Sequence, residues 1–265
     1  MPDPWSAWWT ALCAAALLNA AAWAYSAVRL GRHVDSLPAD VALTRRRLLW
    51  LSALYVLGCG FRSVLPMIDV PRFCLHETGI SRIFVGRSVA TVAELAFVAQ
   101  WALLMREAGA VRAGRMVVPL IACAEVLSWI AVLTRDDLFH ALENSTWTVV
   151  AAFAVAFLAS RWRYEGPTGR KVIIAAGGAA AAYVAFMVAY VVPMYLMRWH
   201  AGHETVTFAQ GLAEVLHPCT VQRDWALWWQ DAAWLTPYFT LCVWFSLSLA
   251  HVPSLKAGAA AAGRP

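Results

Sequence analysis

Residues 116–134 read Met-Val-Val-Pro-Leu-Ile-Ala-Cys-Ala-Glu-Val-Leu-Ser-Trp-Ile-Ala-Val-Leu-Thr, with Glu125 as the one charged residue. A helix crossing a hydrocarbon core of about 30 Å needs roughly 20 mostly apolar residues. This stretch therefore reads as a membrane span. Working outward, residues 5–30, 48–68, 83–105, 146–162, 172–197 and 225–251 read the same way. Barrel strands would alternate in polarity over about ten residues, and none of these runs does. The expectation is an all-α fold, a seven-transmembrane-helix bundle forming one domain over 1–256, with a loose Gly/Ala tail at 257–265.

Composition agrees. Of 265 residues, 61% are hydrophobic and 14% charged, against about 45–50% and about 25% in soluble domains. Too little polar surface remains to cover a water-exposed globule. That excludes a cytosolic enzyme, a disulfide-rich secreted scaffold and a disordered chain. The net charge of +5 points to topology and not to nucleic acid. Lys and Arg crowd the connections after spans one, three and five (Arg45, Arg46 and Arg47; Arg106, Arg112 and Arg115; Arg161, Arg163, Arg170 and Lys171), and few follow spans two, four and six. The positive-inside rule then places the N-terminus outside and the C-terminus in the cytoplasm, in a bacterial inner membrane. The first span follows a start without basic residues and is longer than a signal-peptide core, so it is expected to be retained.

Trp5, Trp8, Trp9, Trp147, Trp199, Trp225, Trp228 and Trp229 fall near the outer boundary in this frame and Trp50 and Trp162 near the inner one, as interface-anchoring rings do. For the fifth span, Asn144-Ser145-Thr146 offers an N-cap. Residues 204–216 carry Phe208, Leu212, Val215 and Leu216 at helical spacing, which predicts an interfacial helix or a plain connector. Cys13, Cys59, Cys123 and Cys242 lie in spans. Cys74 and Cys219 fall in two outer connections and are expected to pair in an oxidising compartment.

Five ionisable residues fall within spans: Arg62, Arg87, Glu94, Glu125 and Asp231. Each costs about 2.5–3.5 kcal/mol at a helix centre, so each should face the bundle interior. Glu94 is two helical turns beyond Arg87, with Thr91 between them on the same face. The functional reading is an outward-facing polar cavity. In it Arg62, Arg87, Thr91, Gln230 and Asp231 contact a small or lipid-derived anion, and Glu94 or Glu125 moves protons. The structural reading is a set of buried ion pairs, such as Arg87 with Asp231 and Arg62 with Glu125, that fix helix packing. Pro237, just past Asp231, is expected to kink the last span about one turn earlier.

His200 and His203 are three residues apart, and His76 and His217 lie in outer connections. These four, with Asp69 or Glu77, are the residues that would hold zinc, copper or iron. Both lysines, Lys171 and Lys256, lie outside the spans, so no retinal Schiff base can form in the last helix. Three functions follow: binding or transport of an anion; a membrane-embedded, metal-dependent enzyme acting on a lipid or isoprenoid; and a structural subunit with protein partners in a membrane complex. Membrane lipids are partners in all three.

Overall fold

The computed structural model describes residues 3–164, 166–202 and 204–255. Ten α-helices appear among them: α1 Pro4–His33, α2 Ala39–Val64, α3 Ile83–Glu107, α4 Val111–Thr134, α5 Asp137–Arg161, α6 Pro167–Phe186, α7 Val192–Ala201, α8 Phe208–Leu216, α9 Trp225–Phe239 and α10 Leu241–Leu249. The fold is all-α apart from three two-residue strands, β1 Met67–Ile68, β2 Phe73–Cys74 and β3 Thr220–Val221. β1 pairs antiparallel with β2, and β2 pairs parallel with β3.

Among the described residues, six segments are long and apolar enough to cross a membrane: Pro4–Ser36, Ile83–Glu107, Val111–Thr134, Asp137–Arg161, Gly169–Ala201 and Trp225–Leu249. They mark the chain as an integral membrane protein. α2 is not among them. Its helix carries the Arg45-Arg46-Arg47 cluster in its second and third turns and ends at Val64, so the apolar run is shorter than the expected 48–68. Pro66 stops it, since the residue before a proline disfavours the α conformation, and Leu65 has already left it at φ −120° and ψ 73°.

Several boundaries differ from expectation for local reasons. α5 begins at Asp137, and its cap is Asp136, whose side chain accepts from Leu138 N. Asn144, Ser145 and Thr146 sit inside that helix instead, bonded back to the carbonyls of His140, Ala141 and Leu142. Between α6 and α7 the backbone widens into a π-helical turn over Met187–Val191, because Pro193 has no N–H to donate and its ring crowds the preceding turn. The last span is in two pieces. Thr240, at φ −117° and ψ −77°, separates α9 from α10, so the break follows Pro237 instead of preceding it.

The described residues divide into two compact units, one within 3–100 and 213–252 and the other within 101–212 and 253–255. In the first, Leu12, Tyr55, Val56, Cys59, Ala93, Leu235, Phe239 and Val243 form a buried core joining α1, α2, α3, α9 and α10. Buried polar side chains lock it. Gln100 Nε2 donates to Leu48 O (2.8 Å) and Ser246 O (3.2 Å), while Ser246 Oγ donates to Gln100 Oε1 (2.7 Å). A second cluster, Phe73, Leu75 and Trp228 with Trp5, Trp8 and Trp9 against it, supports the small sheet. Trp228 is fully buried and donates to Gln222 O, so it is a core residue and not an interface anchor.

In the second unit, Gly114 lets the start of α4 approach Ala102 O and Arg106. Arg161, buried at the end of α5, donates to Leu255 O at 3.2 Å. Gly211 of α8 packs directly on the Leu133 carbonyl, a closeness that no Cβ would permit.

Candidate functional site

The first unit assembles a polar cluster from three segments. α3 supplies Arg87 and Glu94, whose spacing puts them on one face: Arg87 Nη2 lies 3.4 Å from Glu94 Oε2. The connection after α2 supplies Asp69, with Oδ2 3.8 Å from Arg87 Nη1. α9 supplies Tyr238, whose hydroxyl donates to Glu94 Oε1 at 3.0 Å. Arg87 is 6% exposed, so its charge sits in a poorly hydrated setting where carboxylate partners matter. Neither carboxylate contact reaches the roughly 2.7–2.9 Å of a tight charge-assisted hydrogen bond.

Arg62 occupies the last turn of α2, not the deeper position expected from a span ending at 68. There it donates to Met67 O at 2.8 Å, a favourable place for a cation at a helix C-terminus. Its Nε, and Asp69 Oδ1, are buried with no hydrogen-bond partner among the described residues. Thr91 is half-buried on α3, Asp231 half-buried on α9, and Gln230 exposed. Tyr55, buried on α2, stands edge-on to Tyr238 with ring centroids 6.1 Å apart.

The broken last span borders this site. Asn19 of α1 is 2% exposed, and its Nδ2 donates to Phe239 O at 2.8 Å. The break in the helical ladder leaves that carbonyl needing a partner, and in an apolar surrounding an unsatisfied one costs several kcal/mol. Trp8 Nε1 donates to Thr236 Oγ1 from the same helix. Asn19, Asp69 and Tyr238 were not read from the sequence as members of this cluster. The available signals were a lone amide in an apolar helix, an acid in the connection after α2, and a tyrosine beside Pro237.

In the same unit, a disulfide joins Cys74 and Cys219, with Cα atoms 5.8 Å apart. It ties the connection after α2 to the one before α9, alongside the β2–β3 pairing. Buried Arg72, left-handed at φ 75°, pairs with Glu214. His76 rests on the Trp9 ring (centroids 4.4 Å) and against Trp5 (6.3 Å), and Arg223 covers Trp5 from 5.3 Å. Burial, then the nearby Arg223 charge, lowers the His76 pKa below its usual value. Its Nε2 is buried with no hydrogen-bond partner among the described residues.

Glu125 lies in the second unit, buried on α4 with Ser128 nearby. That unit has its own polar pair, His140 Nδ1 at 3.0 Å from Glu143 Oε2, with the His140 ring stacked on Tyr195 at 4.9 Å. Of the four histidines considered for a metal, His200 packs on Trp199, His217 is exposed, His76 lies in the tryptophan pocket, and His203 lies outside the described residues. Among the described residues, no group of three or more His, Cys, Asp or Glu side chains is gathered as a metal would require.

Comparison of the chain with known protein families, with characterised proteins and with solved structures found no match.

Proposed function

We propose that the chain is a seven-span protein of a bacterial inner membrane whose outward-facing polar cluster binds or transports a small or lipid-derived anion. The seventh span is α2, which at 26 residues is about 39 Å long, enough to cross despite its basic first turns. The distribution of Lys and Arg supports an external N-terminus and a cytoplasmic C-terminus. The sheet and its disulfide then lie on the oxidising side.

The observation that carries this reading is Arg87, placed between Asp69 and Glu94 at 3.8 and 3.4 Å, in the same unit as an Arg62 whose Nε has no hydrogen-bond partner among the described residues. Glu94 is tied through Tyr238 to the segment just before the Thr240 break, where irregular backbone is tolerated when it lines a cavity. An incoming anion competes with Asp69 for Arg87, and Glu94, held by Tyr238, accepts a proton as its own partner is drawn away.

Thermal unfolding in mild detergent, with inorganic phosphate, acetate or dihexanoyl phosphatidate added, tests this reading. At least one of these anions should raise the wild-type Tm. Arg87→Ala should abolish that rise and Arg87→Lys should keep part of it. A wild type indifferent to all three, or a rise that survives in Arg87→Ala, overturns the proposal.

A further inference from the structure

The second unit contains a groove that no residue of the cluster above shares. It runs between the end of α5 and the first turns of α6, encloses about 330 Å³, and is walled by Val155, Leu158, Trp162, Ile173 and Gly177 with Arg163 at its rim. Its depth depends on the absent side chain at Gly177, where a Cβ would only just reach Leu158 Cδ1 at 4.0 Å; at Gly178 a Cβ would meet nothing within 4 Å. Both α5 and α6 belong to segments long and apolar enough to cross a membrane, and the wall side chains Val155, Leu158 and Ile173 are of the apolar kind that acyl chains pack against.

The rim differs from the wall in chemistry. Arg170 Nε donates to Trp162 O at 3.2 Å, and its guanidinium lies 5.4 Å from the Trp162 ring, which holds a cation beside the groove mouth. Arg163 and Lys171 are exposed next to it. Residues 162–171 carry Arg163, Arg170 and Lys171 against one acid, Glu165; Arg161 is buried and turned to Leu255 O. A tryptophan at the boundary, an apolar slot below it and clustered cations above it match the parts of a phospholipid in order: glycerol backbone, acyl chain and anionic headgroup.

We infer that this groove is a site for one anionic glycerophospholipid, its acyl chain along Leu158, Ile173 and Gly177 and its phosphate on Arg163 and Arg170. The site needs only the membrane placement of α5 and α6; it is independent of the Arg87 cluster and of which face is external.

Native mass spectrometry of the full chain in mild detergent, titrated with dioleoyl phosphatidylglycerol or dioleoyl phosphatidylcholine, tests it. The wild type should retain one phosphatidylglycerol in preference to phosphatidylcholine. Replacing Arg163 and Arg170 together with Ala should reduce that preference by about fivefold per arginine. Gly177→Leu, which fills the slot while improving helix propensity, should displace the retained lipid with helicity by circular dichroism unchanged. Equal retention of the two lipids by the wild type, or a preference untouched by the double arginine variant, overturns the inference. Because the arginines are exposed, their replacement reads binding even where Gly177→Leu fails to fold.

Discussion

Tyr238 of α9 donates its hydroxyl to Oε1 of Glu94 on α3 at 3.0 Å, while the other oxygen of that carboxylate faces Arg87 at 3.4 Å. One carboxylate thus joins a cation on its own helix to a phenol on the broken one.

Replacing Tyr238 with Phe should remove that hydrogen bond and keep the ring packing against Tyr55. Hydrogen bonds between membrane helices average about 0.6 kcal/mol and reach about 1.7 kcal/mol. A loss near 1 kcal/mol is expected in an SDS unfolding titration, with helicity retained. An unchanged midpoint would show that Glu94 does not depend on the phenol.

Asn19 closes the Phe239 carbonyl at the helix break. Asn19→Leu keeps the volume roughly and leaves the carbonyl unsatisfied, so it should destabilise the fold by about 1–3 kcal/mol. Thr240 geometry explains why this position matters more than its neighbours: Ala20 or Ala21 replaced with Leu faces an exposed surface and should be near neutral.

The disulfide is expected to link Cys74 and Cys219 in protein isolated without reductant, recovered as one cross-linked peptide pair in non-reducing digestion. Exchanging both for Ser should cost about 2–4 kcal/mol, the usual effect of closing a long loop. Recovery of both cysteines as alkylated free thiols would remove this brace from the account.

His76 gives the fold a pH dependence of defined sign. Its pKa is lowered in the folded state by burial and by Arg223, so the unfolded chain binds the proton more readily. The stabilisation from neutral His76 is fully present above its ordinary value of about 6.5 and is lost as pH falls through that value toward the lower folded one. The wild-type Tm should fall between pH 7 and pH 5, accompanied by a change in tryptophan emission from Trp5 and Trp9. His76→Gln should flatten the part of that slope due to this residue.

Six of the spans were legible because runs such as 116–134 are long and apolar enough to cross a membrane, and Arg87 with Glu94 was legible because helical spacing alone puts them on one face. The sheet was not, since two-residue strands such as Met67–Ile68 are too short to show alternation and instead prolong the apolar run of α2. The start of α5 was hidden because Asp137, His140 and Glu143 look like a polar loop, yet the structure buries all three. Asp69 and Tyr238 join the cluster through tertiary packing of the first unit, and no local pattern encodes that. The break at Thr240 follows Pro237, whereas the standard proline rule looks to the residues before it.

The central claim is that the Arg87 cluster opens to the outside and receives an anion. The most direct measurement is the labelling rate of Thr91→Cys, in a chain with Cys13, Cys59, Cys123 and Cys242 replaced by Ala, using a membrane-impermeant thiosulfonate on intact cells. The expected result is labelling from outside that slows in the presence of whichever of phosphate, acetate or phosphatidate raises the Tm. A thiol that reacts only after denaturation would contradict the account and leave Arg87, Asp69 and Glu94 as ion pairs that pack helices.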